Sequence, residues 1–332
     1  MKIVRALLVC VVAVSGYAQN PNLRAGESIN GFPNWAERVV LEWMNRARVD
    51  PQLEMQTCGA ACGDAACYKP VAPLVWVEAL NHAARFHADE MTKQHFFDHS
   101  SHCRIVSSIN ALYPVACDAS ASCACTDGSP TVWTERVALF GSGVTGEIIA
   151  GTGDPNQGFY LWLYEPSNAQ CAFSVANGHR YLILNSAGGV GVGVGGNAVG
   201  DFSYGEPPYK IPSAAHYPKQ AATVALWANW YDTAGPKSAN TVVDGKCVTM
   251  SLKRGTQQNG AWTANASGVG SGCHRYYFSF VDANGHESTY PVTGSLGIGD
   301  ASCDDWNATR VTAKCATPAS PAPSKRRAIR AH

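Results

Sequence analysis

What the chain has little of narrows the reading first. Charged residues make up only 15 % of its 332 residues, and Lys+Arg and Asp+Glu stand at 25 each, a formal net charge of zero. No interior run of Lys or Arg occurs, so nothing in the charge pattern points to a nucleic-acid partner. Beyond the N-terminus no segment reaches the ~20 apolar residues a transmembrane helix needs. A His-Glu-x-x-His helix and a Gly-x-Ser-x-Gly elbow are both missing, which removes the usual sequence marks of zinc peptidases and of serine hydrolases.

Cysteine, by contrast, is plentiful. Of 13 cysteines one, Cys10, lies in a leader-like start. Lys2 and Arg5 are basic, Ala6 to Val14 form a short apolar core, and Gly16-Tyr17-Ala18 offers small residues for cleavage after Ala18. That pattern reads as an export signal. Cys10 has no lipoprotein-type box beside it, so no lipid anchor is expected. The remaining cysteines divide into Cys58, Cys62, Cys67, Cys103, Cys117, Cys123, Cys125 and Cys171, then Cys247, Cys273, Cys303 and Cys315. Both groups are even, as expected if each of two domains closes its own bridges in an oxidising compartment. Zinc knuckles at Cys58-x3-Cys62-x4-Cys67 and Cys123-x-Cys125 are the alternative, and export favours disulfides over them.

Periodicity then orders the chain. Residues 1–18 are the leader and 19–33 a polar arm. Asn34-x-x-Glu37 is a capping-box start, and Ala36, Val40, Trp43, Met44 and Ala47 form one helical face. Asp50-Pro51 ends that helix. A second helix is expected over residues 77–93, with His87 on its apolar stripe as a core histidine and His82 on the solvated side. Short helices are expected at 135–139 and 158–164, and strands at 181–185 and 190–194. In Val190-Gly-Val192-Gly-Val194 the valines point one way, and the bare glycine face admits another element closely. A Pro-rich linker at 204–216 leads to an all-β domain over 217–315. Its hairpins turn at Asp244-Gly245 and Asn284-Gly285, and its length suits a small immunoglobulin- or fibronectin-like sandwich. Adhesion or spacing is expected of this domain, with exposed aromatics around Trp227 and Trp230 as a contact for glycan or cell wall, although core packing claims at least one of them. Residues 316–332, with Lys325, Arg326, Arg327 and Arg330, read as a disordered basic tail, solvated rather than bound to an anionic envelope.

Several short motifs stand in a characteristic order. They are Leu41 to Arg48, Pro73-Leu74-Val75-Trp76, Leu80 to Met91, Phe97-Asp98-His99-Ser100, Gly146-Glu147-Ile148-Ile149-Ala150, Trp162-x-x-Glu165, Gly178-His179-Arg180 and the Gly-Val strand. With them, residues 34–203 resemble the CAP superfamily of cysteine-rich secretory, antigen 5 and pathogenesis-related proteins, also called the SCP domain, in its bacterial secreted branch. The resemblance implies an α+β fold, an α-β-α sandwich, ahead of the β-sandwich module. It also implies a cavity tetrad of His99, Glu147, Glu165 and His179. Two departures from the family pattern are Ile148, where Asn commonly follows the glutamate, and Arg180-Tyr181-Leu182 after Gly178-His179.

Two imidazoles and two carboxylates suit Zn²⁺ or another divalent cation. His99 and His179 would be ligands, and Glu147 and Glu165 ligands or outer-sphere partners. The resemblance implies a secreted, non-enzymatic binding module for a lipid, sterol, glycan or protein partner. A metal-dependent peptide or ester hydrolase using the same cavity is one alternative. A purely structural or adhesive surface protein, with the tetrad as a buried polar network, is the other.

Overall fold

The computed structural model describes residues 26–166, 171–186, 188–205 and 209–315. The expected leader, with Cys10, and the expected basic tail lie outside the described residues. The chain is α+β, with several small sheets.

Helix α1 (Trp35–Val49) starts on the predicted capping box. The Glu37 amide donates to Asn34 Oδ1 at 2.9 Å, and the Asn34 amide donates to Glu37 Oε2 at 3.0 Å. Such a cap stabilises a helix by about 1 kcal/mol. Its apolar face, Val40, Met44 and Ala47, is fully buried. Helix α2 (Glu78–Lys93) covers the sheet from the opposite side.

Between the helices lies a four-stranded sheet of β1 (Val75–Trp76), β2 (Gly146–Ala150), β3 (Gly189–Val194) and β4 (Ala198–Phe202), in the order β1-β3-β4-β2. The β1–β3 pair is parallel and the rest antiparallel. Val190, Val192 and Val194 join the core with Val40 and Met44. The same core takes Phe159, Trp162, Ile183 and Leu184. The glycine face admits α2 closely. A Cβ on Gly191 would lie 2.1 Å from the Asn81 amide nitrogen, and one on Gly193 2.1 Å from that of Arg85. No side chain fits there, as the alternating pattern predicts. Helices therefore lie on both faces of this sheet.

The outer side of α2 is closed by helix α3 (Trp133–Leu139) and by a cysteine-rich segment, around Phe86, Tyr113, Val137 and Phe140. Helix α4 (Pro155–Leu163) agrees with the expected helix and begins three residues earlier, on an Asp154 cap. The strand expected at 181–185 is instead the body of helix α5 (Gly178–Asn185). Its buried residues, Arg180, Ile183 and Leu184, recur at helical rather than alternating spacing. Burial of that one side outweighs the local strand character of Tyr-Leu-Ile-Leu.

The second half is a β-sandwich. One sheet joins β5 (Ala214–Tyr217), β6 (Thr223–Tyr231), β9 (Ser251–Gly255) and β10 (Asn259–Ser267), in the order β9-β10-β6-β5. The other is built on β7 (Ser238–Val243), β8 (Lys246–Thr249) and β11 (His274–Val281), with β12 (Glu287–Tyr290), β13 (Ser295–Ile298) and β14 (Trp306–Asn307) beyond. Val224, Leu226, Ala228 and Trp230 meet Tyr276, Phe278 and Phe280 in its core. Both residues of the Asp244-Gly245 turn have positive φ, 46° and 76°, as a tight hairpin of this kind requires.

Six bridges form, Cys58–Cys62, Cys67–Cys171, Cys103–Cys125, Cys117–Cys123, Cys247–Cys315 and Cys273–Cys303. None joins the two groups, in keeping with their even counts.

The two halves are not loosely tethered. Part of the expected linker lies outside the described residues, but Ala214–Tyr217 is a strand paired with β6, and Ile211, Ser213 and Ala215 are buried. Alternating burial, not proline content, decides the structure there. Helix α1 seats against this sheet. Glu42 accepts hydrogen bonds from Ser213 Oγ and from Asn229 Nδ2, each at 2.7 Å. Trp35 Nε1 donates to the His216 carbonyl at 2.9 Å, and Arg254 pairs with Glu54. Burial pushes the Glu42 carboxyl up to about 8, against the hydrogen bonds of Ser213 and Asn229 and the charge of Arg46.

The described end of the polar arm is packed rather than free. Thr293 donates its amide (2.7 Å) and its hydroxyl (2.8 Å) to Glu27, while Phe32 lies against His82 with ring centroids 4.1 Å apart. His82 is thus half-buried, not solvated, and burial followed by the charge of Arg85 lowers its pKa to about 4. His87 is a core histidine as expected, with Glu90 on Nδ1 and the Asp98 carbonyl on Nε2. Trp230 is fully buried. Trp227 stands edge-on to Trp43 at 6.2 Å, with the Arg46 guanidinium 5.1 Å from its ring, so both tryptophans serve packing.

Candidate functional site: two histidine–glutamate couples

The four residues singled out by motif form two couples. His99, on the loop after α2, places Nδ1 2.8 Å from Glu147 Oε1. His179, at the start of α5, places Nδ1 2.8 Å from Glu165 Oε2, just past α4. Both imidazoles are partly exposed, at 45 % and 33 % of the side chain, whereas Glu147 and Glu165 are at 1 % and 13 %. Each histidine therefore turns Nδ1 inward to a carboxylate. Among the described residues neither Nε2 has a hydrogen-bond partner.

Strand alternation positions the first couple. Gly146 and Ile148 face α1 and α5, so Glu147 and Ile149 face α2. There Glu147 meets Arg136 of α3, which is completely buried and grips Oε2. Arg136 Nη1 also donates to the His99 carbonyl at 2.9 Å and to Ser101 Oγ at 3.2 Å. Ser101 Oγ passes the chain of bonds to Glu90 Oε1 at 2.6 Å, where His87 also binds. One guanidinium thus fixes the backbone of His99 and the carboxylate that orients its ring. Burial alone would push the Glu147 carboxyl up, but the charge of Arg136, with the hydrogen bond and charge of His99 and the charge of His87, holds it down at about 2.

Across the ladder Glu147 pairs with Asp201 of β4. Asp201 is fully buried, and no other described side chain or amide donates to its carboxyl. Burial first, and then the charge of Glu147, hold its pKa well above the ordinary carboxylate range. A buried carboxyl beside a charged one, with no cation paired to it among the described residues, keeps its proton.

The second couple is built on Arg180. Its amide donates to Glu165 Oε1 at 2.9 Å, and its guanidinium grips the Glu165 carbonyl, the Leu163 carbonyl and Asp64. Asp64 belongs to the cysteine-rich loop that Cys67–Cys171 ties to the segment before α5. Arg180 is therefore what locks this couple to that loop. Leu182, three residues after His179, closes over Gly146.

As to a metal, the inward Nδ1–carboxylate contact is the outer-sphere arrangement that supports a ligating histidine. The donor set fits Nε2 ligation by His99 and His179, with the glutamates as orienting partners. Among the described residues no group of three or more His, Cys, Asp or Glu side chains is arranged around a single metal position. The cysteines contribute no ligand, since those described are bridged.

Sequence reasoning missed Arg136, Arg180, Asp201, Glu90 and Ser101. Arg180 carried a signal, a cation placed directly after the Gly-His motif. Arg136 carried none, because its partners lie on other elements. Comparison with protein-family models finds no match to this chain, and no curated protein sequence matches it.

Proposed function

We propose that residues 34–203 are a CAP-type module of an exported protein that binds an extracellular apolar partner, a lipid or sterol, without turning it over. One observation carries the non-enzymatic part. Both glutamates are already engaged, Glu147 by His99 and Arg136, and Glu165 by His179 and Arg180. A hydrolytic base needs a pKa near the working pH and a lone pair aimed at water. Glu147, its carboxyl held below the ordinary range by the charge of Arg136 and the hydrogen bond of His99, is a poor base for that task. The motif order, helices on both sheet faces and six disulfides support the CAP reading and export.

The apolar character of the partner rests on what stands beside the couples. Phe97 is 55 % exposed two residues before His99, and Phe173 and Val175 are 58 % and 94 % exposed shortly before His179. Large apolar side chains left open next to a site mark an interaction surface. Co-sedimentation with sterol-containing phosphatidylcholine vesicles should retain the protein. Glu147→Gln should keep this binding, and Phe173→Ser with Val175→Ser should abolish it. Turnover of peptide or ester substrates that is lost in Glu147→Gln would overturn the reading.

A divalent cation belongs to the same proposal, held by Nε2 of His99 and of His179 with water in the other positions. Zn²⁺ would supply a Lewis-acid centre, while Glu147 and Glu165 keep the rings oriented and Arg136 and Arg180 keep the glutamates in place. Protons compete with metal for imidazole. Calorimetry with Zn²⁺ should thus give binding at about pH 7.5 that weakens at about pH 5.5. No heat in the wild type, or equal heat in His99→Ala/His179→Ala, would return the couples to a bracing role.

A further inference from the structure

One end of the β-sandwich holds a cavity of about 340 Å³, within the range of small-molecule sites, ~300–1,000 Å³. Its floor is apolar, with Val243, Ala266 and Val269 all buried. Its rim is polar and comes from three places in the chain: the β7–β8 turn, the end of β10 and the start of β11.

Most of the rim is already committed to the fold. Asp244 Oδ1 accepts the Arg275 amide at 2.9 Å, and Oδ2 accepts His274 Nδ1 at 2.6 Å. His274 Nε2 faces the Ser271 carbonyl at 2.9 Å. With an acceptor at each ring nitrogen the imidazole carries two protons, and the Asp244 hydrogen bond raises its pKa above the ordinary value. Ser267 Oγ is hydrogen-bonded to Thr223 Oγ1 at 3.1 Å. Two rim groups remain. Among the described residues neither the Lys246 ammonium nor the Asn265 carboxamide has a hydrogen bond or ion pair, and both line the cavity.

The charges sum simply. Asp244 and His274 cancel, which leaves one positive charge on Lys246. That lysine is also well anchored at its backbone, because the Asp244-Gly245 turn precedes it and Cys247, bridged to Cys315, follows it. A free ammonium and a free amide above an apolar floor fit a ligand with one anionic head and an apolar body.

We infer that this cavity binds a small carboxylate-bearing molecule, its carboxylate on Lys246 and Asn265 and its apolar body over Val243, Ala266 and Val269. The site is separate from the His–Glu couples and does not depend on the function proposed for them. Hexanoate is the probe, with hexanol and glucuronate as counterparts that remove the charge or the apolar body. Amide NMR of the full chain should show shifts confined to residues 243–248, 265–269 and 274. These should saturate with a dissociation constant on the order of 1 mM, as suits so small a ligand. Lys246→Ala should weaken hexanoate about tenfold or more, and Lys246→Arg should restore it. Unsaturable or scattered shifts would overturn the site. Equal binding of hexanol would overturn the anion, and equal binding of glucuronate would overturn the apolar body. Undiminished binding by a folded Lys246→Ala, judged by unchanged amide dispersion elsewhere, would overturn the role of the lysine.

Discussion

Gly191→Ala tests the contact on which the first half is built. The added Cβ would sit 2.1 Å from both the Asn81 nitrogen and the Leu80 carbonyl carbon, and 2.4 Å from Leu80 Cβ. Non-bonded carbon contacts settle near ~3.5–4.0 Å, so α2 must retreat from β3 by roughly 1.5 Å. These neighbours include helix backbone, which no rotamer change can move aside. Overpacking of this kind costs ~1–3 kcal/mol, and retreat also opens the layer of Ala84, Ala88 and Val199 between α2 and the sheet. A loss of about 3 kcal/mol corresponds to a fall of roughly 6–12 °C in Tm for a domain of this size. Gly128→Ala is the control, because nothing lies within 4 Å of its Cβ position. Differential scanning calorimetry of both variants decides the matter. A Gly191→Ala protein melting with the control and the wild type would refute the claim that backbone approach requires glycine here.

Three further outcomes are expected. Arg136→Leu leaves Glu147 and Glu90 buried with their shared guanidinium gone, and should cost about 3–5 kcal/mol in urea unfolding. Removing Cys67–Cys171, which spans 104 residues, by serine at both positions should cost on the order of 4–5 kcal/mol if chain entropy dominates. Glu42 keeps its proton in the folded protein up to about 8 and loses it from 4.5 when unfolded. The folded state therefore binds more protons in that window, and this contribution falls as pH rises, by at most ~1.4 kcal/mol per unit. His82 and His216, lowered to about 4, act with the opposite sign below their ordinary ~6.5. Urea midpoints between about pH 6.5 and 8 should thus decline more steeply in the wild type than in Glu42→Gln.

Legibility followed the range of the interaction. The Asn34 cap, the glycine face of β3 and the Asp244-Gly245 turn are each written within a few residues, and each formed as read. The identities of His99, Glu147, Glu165 and His179 were legible as ordered motifs, and their pairing into two couples was not. Pairing depends on Glu147 turning toward α2 and on α5 being a helix, and α5 was read as a strand because Tyr-Leu-Ile-Leu suits either state. The roles of Arg136 and Arg180 were not legible because their partners, Glu147, Glu90 and Asp64, sit on separate elements that only the fold joins. Even cysteine counts predicted closed groups without predicting which cysteines meet.

The contact between the halves changes what the second half can be. A spacer would touch its neighbour through exposed, mixed polar surface. Here Glu42, Asn45, Ser213 and Asn229 form a network with no solvent access, and the acid in it is kept neutral by its burial. Helix α1 consequently has no exposed side. One face closes the core around Val40 and Met44, and the other needs β5 and β6 to cover Glu42 and Asn45. The same helix carries Arg46, whose side chain ties Glu54 and Tyr160 of α4 together. Glu165 follows two residues after the end of α4. The sandwich therefore supports the helix that packs behind the His179–Glu165 couple.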